Sequence, residues 1–388
     1  MSTVGVGHDA PEAHARGPLT AWWLTVDRVL LAAILALFAI GAVTSLAASP
    51  AVALQKGYDP FYFVERHLIF AGLALGVMFA ASMMSPRGVR RAALGVFAVA
   101  VVGLVLVLTH GDDINGSQRW LRFATFSVQP SEFLKPGFVV LAAWAFSQVD
   151  ARRDMPAFPL AAGLLVLSVM LLALQPDVGQ AALISAAWGG LMLMSGLSLI
   201  WLVGLGVVAG GAGLLAYLQL DYVRGRIDAF LSSSISGTDQ TGRALRSFIE
   251  GGFFGRGPGA GEIKSGLPDA HTDFIFAVVA EEYGVIACLV IVALFGLLAA
   301  RMVQASLRAR ATADRFALIG IALIISGQAL INMGVNVGLL PAKGMTLPLI
   351  SAGGSSMCAI ALTLGFALAL GRATPTAAAE PAEGEANA

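Results

Sequence analysis

The sequence predicts an all-α, polytopic integral membrane protein of about ten transmembrane helices, with one large extracytoplasmic loop between the seventh and the eighth. Three observations carry this expectation. The 388 residues are 57% hydrophobic, with a mean hydropathy of +0.80. Only 12% of them are charged, against about 25% in soluble domains. Apolar runs of about 20 residues, each long enough to cross a hydrocarbon core, recur from end to end. The net charge is zero, so nothing in the charge balance points to nucleic acid. Cys288 and Cys358 both lie inside apolar runs and read as small core residues rather than a disulfide framework.

Taken in order, residues 1–26 are polar and read as a cytoplasmic tail. The first apolar run, Val29 to about Ala48, ends in SLAASPA. That ending is similar to a signal-peptidase site, but the run and the polar stretch before it are long for a cleaved leader. It is read as a retained first span. Further spans are expected near 63–84, 91–109, 132–149, 159–174, 178–195, 199–219, 274–300, 315–339 and 351–371. The membrane domain thus occupies 27–371, with the large loop at 220–273. Residues 372–388 are rich in Ala, Pro and Glu and read as a disordered cytoplasmic tail.

Short basic connections set the orientation. Arg87, Arg90 and Arg91 share one side with Arg152 and Arg153 and with Arg301, Arg308, Arg310 and Arg315, if the ten-span count holds. That side is the cytoplasm, and both termini join it. Four segments then face outward: GDDINGSQRWLRFATFSVQPS, the QPD connection, the large loop, and LLPAKGMTLPLIS. The large loop holds six Arg/Lys and six Asp/Glu before Asp273. A mere connector has no need of such charge, and loops of this length are usually functional or disordered.

Within that loop, RALRSFIEGGFF places Leu245, Phe248 and Ile249 on one helical face, with Arg243, Arg246 and Glu250 on the other. A short helix on the membrane surface fits this pattern, as does a plain surface helix capping the bundle. GRGPGAG follows, with Gly255, Gly257, Gly259 and Gly261. No strand precedes it, so a nucleotide fingerprint is rejected and a mobile loop near a substrate is expected. LPDAHTDFIF then gathers Asp269, His271 and Asp273 just before an apolar run. Pro268 and Asp269 suit a helix start, and His271 suits the headgroup layer. Asp273 stands where water gives way to lipid. Partial desolvation there would raise its pKa and make it a useful base; capping the next helix is the alternative.

Glu281 and Glu282 lie roughly 12 Å deeper at 1.5 Å per residue. Acids at such depth face a bundle interior and mark a pathway or a paired charge. Glu132 and Lys135 in QPSEFLKP stand three apart on one helix face and suit an internal ion pair. Arg119 and Arg122 flank Trp120, and Lys343 lies near Thr346. Any one of these cations could snorkel. Several beside an outward carboxylate suggest an anionic head group, most naturally phosphate. A base, phosphate-binding cations and an apolar wall describe an enzyme or carrier for a lipid phosphate.

NGSQRW, QPSEFLK, QPDVGQAALI, GGFFGRGPGAGEIKSGLPDAHTDFIFAVVAEEYG and NMGVNVGLLPAKGMTLPLISAGGSS resemble the SEDS family of bacterial membrane glycosyltransferases. The likeness runs in order from about residue 110 to 371, and PAKGMTLP and GRGPG resemble the cell-division branch more than the elongation branch. It implies glycan polymerisation from lipid II at the outer face of the cytoplasmic (inner) membrane, with lipid II and a lipid-linked glycan strand as substrates. It also implies a partner transpeptidase, a class B penicillin-binding protein, and other division-site proteins at the septum. The essential Asp of the family's HTDF motif falls on Asp273, and its QPSE..K pair falls on Glu132 and Lys135. Two departures stand out. Ala352 replaces a tyrosine of the family's ISYGGSS motif, and TDQTGR at 238–243 matches only loosely, so Gln240 receives no role.

Residues and resemblance converge on one expected mechanism. The 4-hydroxyl of one lipid-linked disaccharide attacks the anomeric carbon of the growing strand's terminal sugar. Asp273 takes the proton, and lipid pyrophosphate leaves with inversion. A glycosidase needs a second carboxylate to protonate its leaving alcohol; pyrophosphate already leaves well. Arg119, Lys343, Arg243 and Arg256 are the pyrophosphate candidates, with His271 and Thr346 as further substrate contacts. Glu132, Lys135, Glu281, Glu282, Asn115 and Trp120 are supporting residues. A divalent cation, Mg²⁺ or Mn²⁺, is expected to assist without a legible ligand set; no nucleotide or organic cofactor is expected. Two rival functions are a lipid-precursor flippase using the buried acids as a relay and a non-catalytic division scaffold.

Overall fold

The computed structural model describes residues 17–372 apart from 115–116, 124–125, 150–153, 220, 233–239, 268 and 342–343. Asn115, Lys343 and the expected tail beyond Arg372 lie outside the described residues. The chain is all-helical in its main architecture, in the order α1 (Pro18–Thr25), α2 (Arg28–Gln55), α3 (Tyr62–Ser82), α4 (Pro86–His110), α5 (Pro130–Ser147), α6 (Ala157–Leu174), α7 (Val178–Met194), α8 (Leu199–Gln219), α9 (Asp221–Ser232), α10 (Gln240–Gly251), α11 (Ile275–Arg308), α12 (Thr312–Asn336) and α13 (Gly354–Leu370). Each expected span overlaps one of these helices. Six of them, α2, α3, α4, α6, α11 and α12, contain stretches long and apolar enough to cross a membrane; α7, α13 and residues 203–219 are apolar but shorter.

Local chemistry places several helix starts. Asp27 Oδ1 accepts the Val29 and Leu30 amides at 3.0 Å and opens α2. Ser85 Oγ accepts the Gly88 amide at 3.1 Å beside Pro86 at the head of α4. Both are helix N-caps. Nearly all of α5 is buried, with α4, α6, α7, α12 and α13 packed around it. Small residues permit close approach: a Cβ on Gly137 would lie 2.7 Å from Phe97 Cβ, and one on Gly365 would lie 2.7 Å from Ala81 Cβ. Leu68, Val99 and Val207 are exposed along the sides of the bundle, where lipid replaces water as their solvent.

Three findings depart from the sequence reading. Residues 112–128 form a small antiparallel sheet, β1 (Asp112–Ile114), β2 (Ser117–Phe123) and β3 (Phe126–Val128), in the order β1-β2-β3. Helix α11 starts at Ile275, so the turn around Asp269 precedes the helix instead of beginning it. The Gly-rich segment, expected to be a mobile loop, is pinned beneath α11.

That pinning follows from a break in α11 at Gly284, where φ is 79° and ψ 176°. The break frees backbone groups, and the preceding loop satisfies them. Arg256 donates its amide to the Glu281 carbonyl at 2.9 Å, Gly257 to the Glu282 carbonyl at 3.0 Å, and Val285 to the Gly252 carbonyl at 2.9 Å. Irregular backbone is tolerated at membrane depth only where protein satisfies it in this way. A Cβ on Gly284 would lie 2.2 Å from the Phe253 carbonyl oxygen, and the positive φ is costly for any other residue. Gly284→Ala is therefore expected to destabilise the fold by about 2–4 kcal/mol, combining strain and clash. Gly296→Ala, in the same helix with nothing within 4 Å, should be neutral or stabilising. Thermal unfolding in detergent compares the two.

Candidate active site

Asp273 sits in the turn that enters α11, half-buried. Phe274 is the helix N-cap and has no side-chain cap bond, so the Asp273 carboxyl is not spent on capping. Its backbone is clamped instead. Asn332 and Asn336 of α12 both donate their side-chain amides to the Asp273 carbonyl at 2.9 Å. Ser351 Oγ donates to the Thr272 carbonyl at 2.6 Å, and the Ala352 amide donates to the His271 carbonyl at 2.9 Å. Packing removes water from around the carboxyl and pushes its pKa up to about 7; the charge of Asp269 adds to the rise and that of Arg119 opposes it.

Arg119 reaches the same place from β2. Its Nε donates to the Gln175 carbonyl at 3.3 Å and Nη2 to the Pro176 carbonyl at 2.5 Å. Its Nη1 lies 3.9 Å from Asp177 Oδ1. The α6–α7 connection therefore holds the guanidinium. Gly344 joins cation to carboxylate: a Cβ there would lie 3.7 Å from both Arg119 Nη1 and Asp273 Oδ2. The strand explains why Arg119 and Trp120 part company, since successive side chains point to opposite faces. Trp120 lines a separate cavity of about 190 Å³ with Arg66, His67, Phe70 and His271.

Beneath the site lies a buried polar chain. Lys135 Nζ donates to Glu132 Oε2 at 2.8 Å and to Gln328 Oε1 at 2.6 Å. Gln180 Nε2 donates to Glu132 Oε1 at 2.6 Å, and Ser356 Oγ to Glu132 Oε2 at 2.9 Å. Thr346 Oγ1 and Ser356 Oγ share a hydrogen bond of 2.7 Å, and Gln328 Nε2 donates to the Thr346 carbonyl at 3.0 Å. Asn332 Nδ2 donates to the Met345 carbonyl at 2.7 Å. The Glu132–Lys135 pair is thus the internal ion pair its spacing suggested. It ties α5, α7, α12 and α13 to the segment carrying Gly344.

The remaining candidates disperse. His271 is buried, its Nδ1 has no partner, and its ring packs 4.8 Å from that of Phe63. Burial, then the Lys56 charge, lowers its pKa to about 4, so at neutral pH it brings no charge to a phosphate. Glu281 accepts the Ile263 and Lys264 amides at 2.7 and 3.0 Å. Glu282 accepts the Gly259 amide at 3.0 Å and pairs with Lys264, whose Nζ also donates to the Ala47 carbonyl at 2.8 Å. Both acids hold the loop. Arg256 pairs with Glu250 and lies 3.8 Å from Glu262, while Arg243 donates to the Gly266 carbonyl. No contact brings either arginine to Asp273. Among the described residues no group of three or more His, Cys, Asp or Glu is placed to hold a metal ion.

Sequence reasoning missed Asp177, Gln180, Gln328, Asn332 and Asn336. A signal existed for three of them. Gln328, Asn332 and Asn336 recur every fourth residue through an otherwise apolar helix, which stacks them on one face where polar groups mark a functional interior.

Removing one partner of the buried pair strands the other. Lys135→Met is expected to cost about 3–5 kcal/mol, and Glu132→Gln/Lys135→Met should lose clearly less than the two single changes together. A double-mutant cycle of unfolding free energies measures the coupling.

The protein-family model described as "Cell cycle protein", covering FtsW, RodA and SpoVE, matches residues 27–374. A protein of Caulobacter vibrioides named "Probable peptidoglycan glycosyltransferase FtsW" is 42% identical over 374 residues, covering 95% of this chain and 96% of that one. A protein of the same name from Trichlorobacter lovleyi is 35% identical, covering 88% and 92%. Among solved structures, a chain from work on the coordination of polymerization and crosslinking by a peptidoglycan synthase complex superposes with a TM-score of 0.75 at 31% identity, covering 90% of this chain and 98% of that one. The crystal structure of the rod shape determining protein RodA of Thermus thermophilus gives a TM-score of 0.65 at 30% identity, covering 90% and 97%. The matched family model spans α2 to α13 and every described residue of the site, and this chain, a multi-pass membrane protein, belongs to the FtsW/RodA/SpoVE family.

Proposed function

We propose that this protein is a peptidoglycan glycosyltransferase of the cell-division type, polymerising glycan strands from lipid II at the outer face of the inner membrane. The observation that carries the reading is the convergence of Asp273 and Arg119 on Gly344 at one end of the bundle. Both lipid-linked substrates are amphiphiles, so their sugars and phosphates stand at that level while their tails remain in the bilayer.

Asp273 accepts the proton of the attacking 4-hydroxyl as the new glycosidic bond forms. A carboxyl with a pKa near the working pH suits that exchange. The bond from the anomeric carbon to lipid pyrophosphate breaks, and Arg119, held in place before the reaction, stabilises the charge that develops there. Among the described residues, Asp273 lies beside Gly344 and would offer an oxygen to a divalent ion there. Mg²⁺ or Mn²⁺ held there would neutralise charge developing on the departing pyrophosphate. A class B penicillin-binding protein at the septum, with other division proteins, is the proposed setting, with both termini in the cytoplasm. The commitment of Glu281 and Glu282 to the loop favours an enzyme over a flippase, because it leaves these acids no free relay role.

Lipid II polymerisation in proteoliposomes, with the cognate transpeptidase present but catalytically blocked, tests the reading. Wild type should make long strands, with yield rising on addition of Mg²⁺ or Mn²⁺. A folded Asp273→Asn should make none. Equal polymerisation by both would remove Asp273 from the mechanism; lipid movement across vesicles without any glycan would favour a flippase. Asp273→Asn should be at least as stable as wild type at pH 8. The folded pKa lies above the unfolded value, so ionisation costs stability as pH rises from about 4 through 7, and Asn avoids that cost.

The rate should fall about tenfold per pH unit below pH 7, where Asp273 protonates. Asp269→Asn removes a neighbouring negative charge and should move this limb to lower pH. Arg119→Gln removes the opposing cation and should move it higher. A pH–rate profile of the three proteins reads both shifts.

A further inference from the structure

At the opposite end of the bundle lies a second cavity, of about 990 Å³, between the ends of α1, α2, α11, α12 and α13. Arg308 lies 24 residues beyond the break at Gly284, roughly 36 Å of continuous helix at 1.5 Å per residue. This cavity therefore has no part in the transfer chemistry. It is the arginine-rich end that the charge pattern assigns to the cytoplasm.

Its walls carry two chemistries. Among the described residues, Arg28, Arg301, Arg308, Arg310 and Arg372 line it against two carboxylates, Asp27 and Asp314. Both carboxylates are already taken: Asp27 Oδ2 lies 2.6 Å from Arg301, and Asp314 Oδ1 lies 2.9 Å from Arg90. Arg28 lies 5.1 Å from the centre of the Trp23 ring, and Arg372 donates to the Met84 carbonyl at 2.8 Å. Arg308 and Arg310 are exposed and make no ion pair among the described residues. Most of the rest of the wall is apolar, with Leu24, Val29, Ala305 and Leu370. At its edge α1 exposes Leu19, Trp23 and Leu24, the residue types that sit in the interfacial layer of a bilayer.

From this juxtaposition of unpaired guanidiniums with an apolar wall we infer a binding site for an anionic phospholipid of the cytoplasmic leaflet, its phosphate on Arg308 and Arg310 and its proximal acyl chain along Leu24 and Val29. Guanidinium and phosphate pair in two-pronged fashion, and basic pockets between helices on this side of a membrane suit such head groups. The volume is at the upper end for small-molecule sites and far exceeds a lone phosphate. A wall that is half apolar favours an amphiphile over a free anion.

The test uses the full-length protein, delipidated and titrated with phosphatidylglycerol or phosphatidylcholine, with bound lipid counted by native mass spectrometry. Wild type should retain phosphatidylglycerol at least fivefold better. Arg308→Gln/Arg310→Gln should lose that preference. Arg87→Gln/Arg91→Gln, equally exposed and on the same side but outside the cavity, should keep it. Equal loss in both pairs would reduce the effect to general surface charge and overturn the site. So would no preference in wild type, or displacement of the lipid by glycerol 3-phosphate at equal concentration. If a preference arises only after residues 373–388 are removed, the chain's own glutamates occupy the cavity and the lipid assignment fails. Unfolding temperatures of all variants should match wild type, because the exchanged arginines make no ion pair among the described residues.

Discussion

The carboxylate of Glu132 is almost completely shielded from water, and burying a charge there is tolerable only if every lone pair finds a donor. Lys135, Gln180 and Ser356 supply those donors. They come from α5, α7 and α13, and Gln328 extends the chain to α12. Four helices must therefore meet at one register. In lipid, where apolar contact alone does not drive helices together, such a polar chain specifies which helices meet and at what height. It ends on Thr346 and Met345, so the same demand for satisfaction fixes the segment that brings Gly344 between Arg119 and Asp273.

The turn bearing Asp273 is held by the opposite strategy. Its side chain is left without a cap bond, and neighbours grip its backbone. A carboxylate gripped through its own oxygens would have a depressed pKa; one gripped through the main chain remains a base. Arg119 is handled likewise, with two carbonyls taking part of its fork while Nη1 faces the gap. Two groups that would neutralise each other as a close pair are held apart across a glycine.

The glycine-rich segment before α11 shows how chemistry that looks functional in sequence can be architectural. Glu281 and Glu282 read as a relay, and the glycines from 255 to 261 as a mobile loop, when seen as composition. Folded, the acids receive the amides of a backbone threaded into a broken helix. At Gly255 a carbonyl oxygen lies too close for a side chain, since a Cβ there would be 2.2 Å from the Glu282 oxygen, and Gly257 and Gly259 adopt positive φ.

Much of the molecule is legible in one dimension, because lipid imposes a length and a polarity on every helix that crosses it. The runs near 29–48, 63–84 and 91–109 announce α2, α3 and α4 for that reason, and the Glu132–Lys135 pair follows from helical spacing alone. Asp273 stands out because a carboxyl just before an apolar run is conspicuous. The sheet at 112–128 escaped notice because three short strands carry little periodicity. The partners of Arg119 escaped because they lie 56 and 57 residues away. By itself, then, the sequence determined the membrane fold, the rough positions of its long apolar helices and the candidate base. Which cation faces that base, which acids merely hold a loop, and how far the base's pKa rises were decided only by tertiary structure, since desolvation and charge proximity depend on distances between segments far apart along the chain.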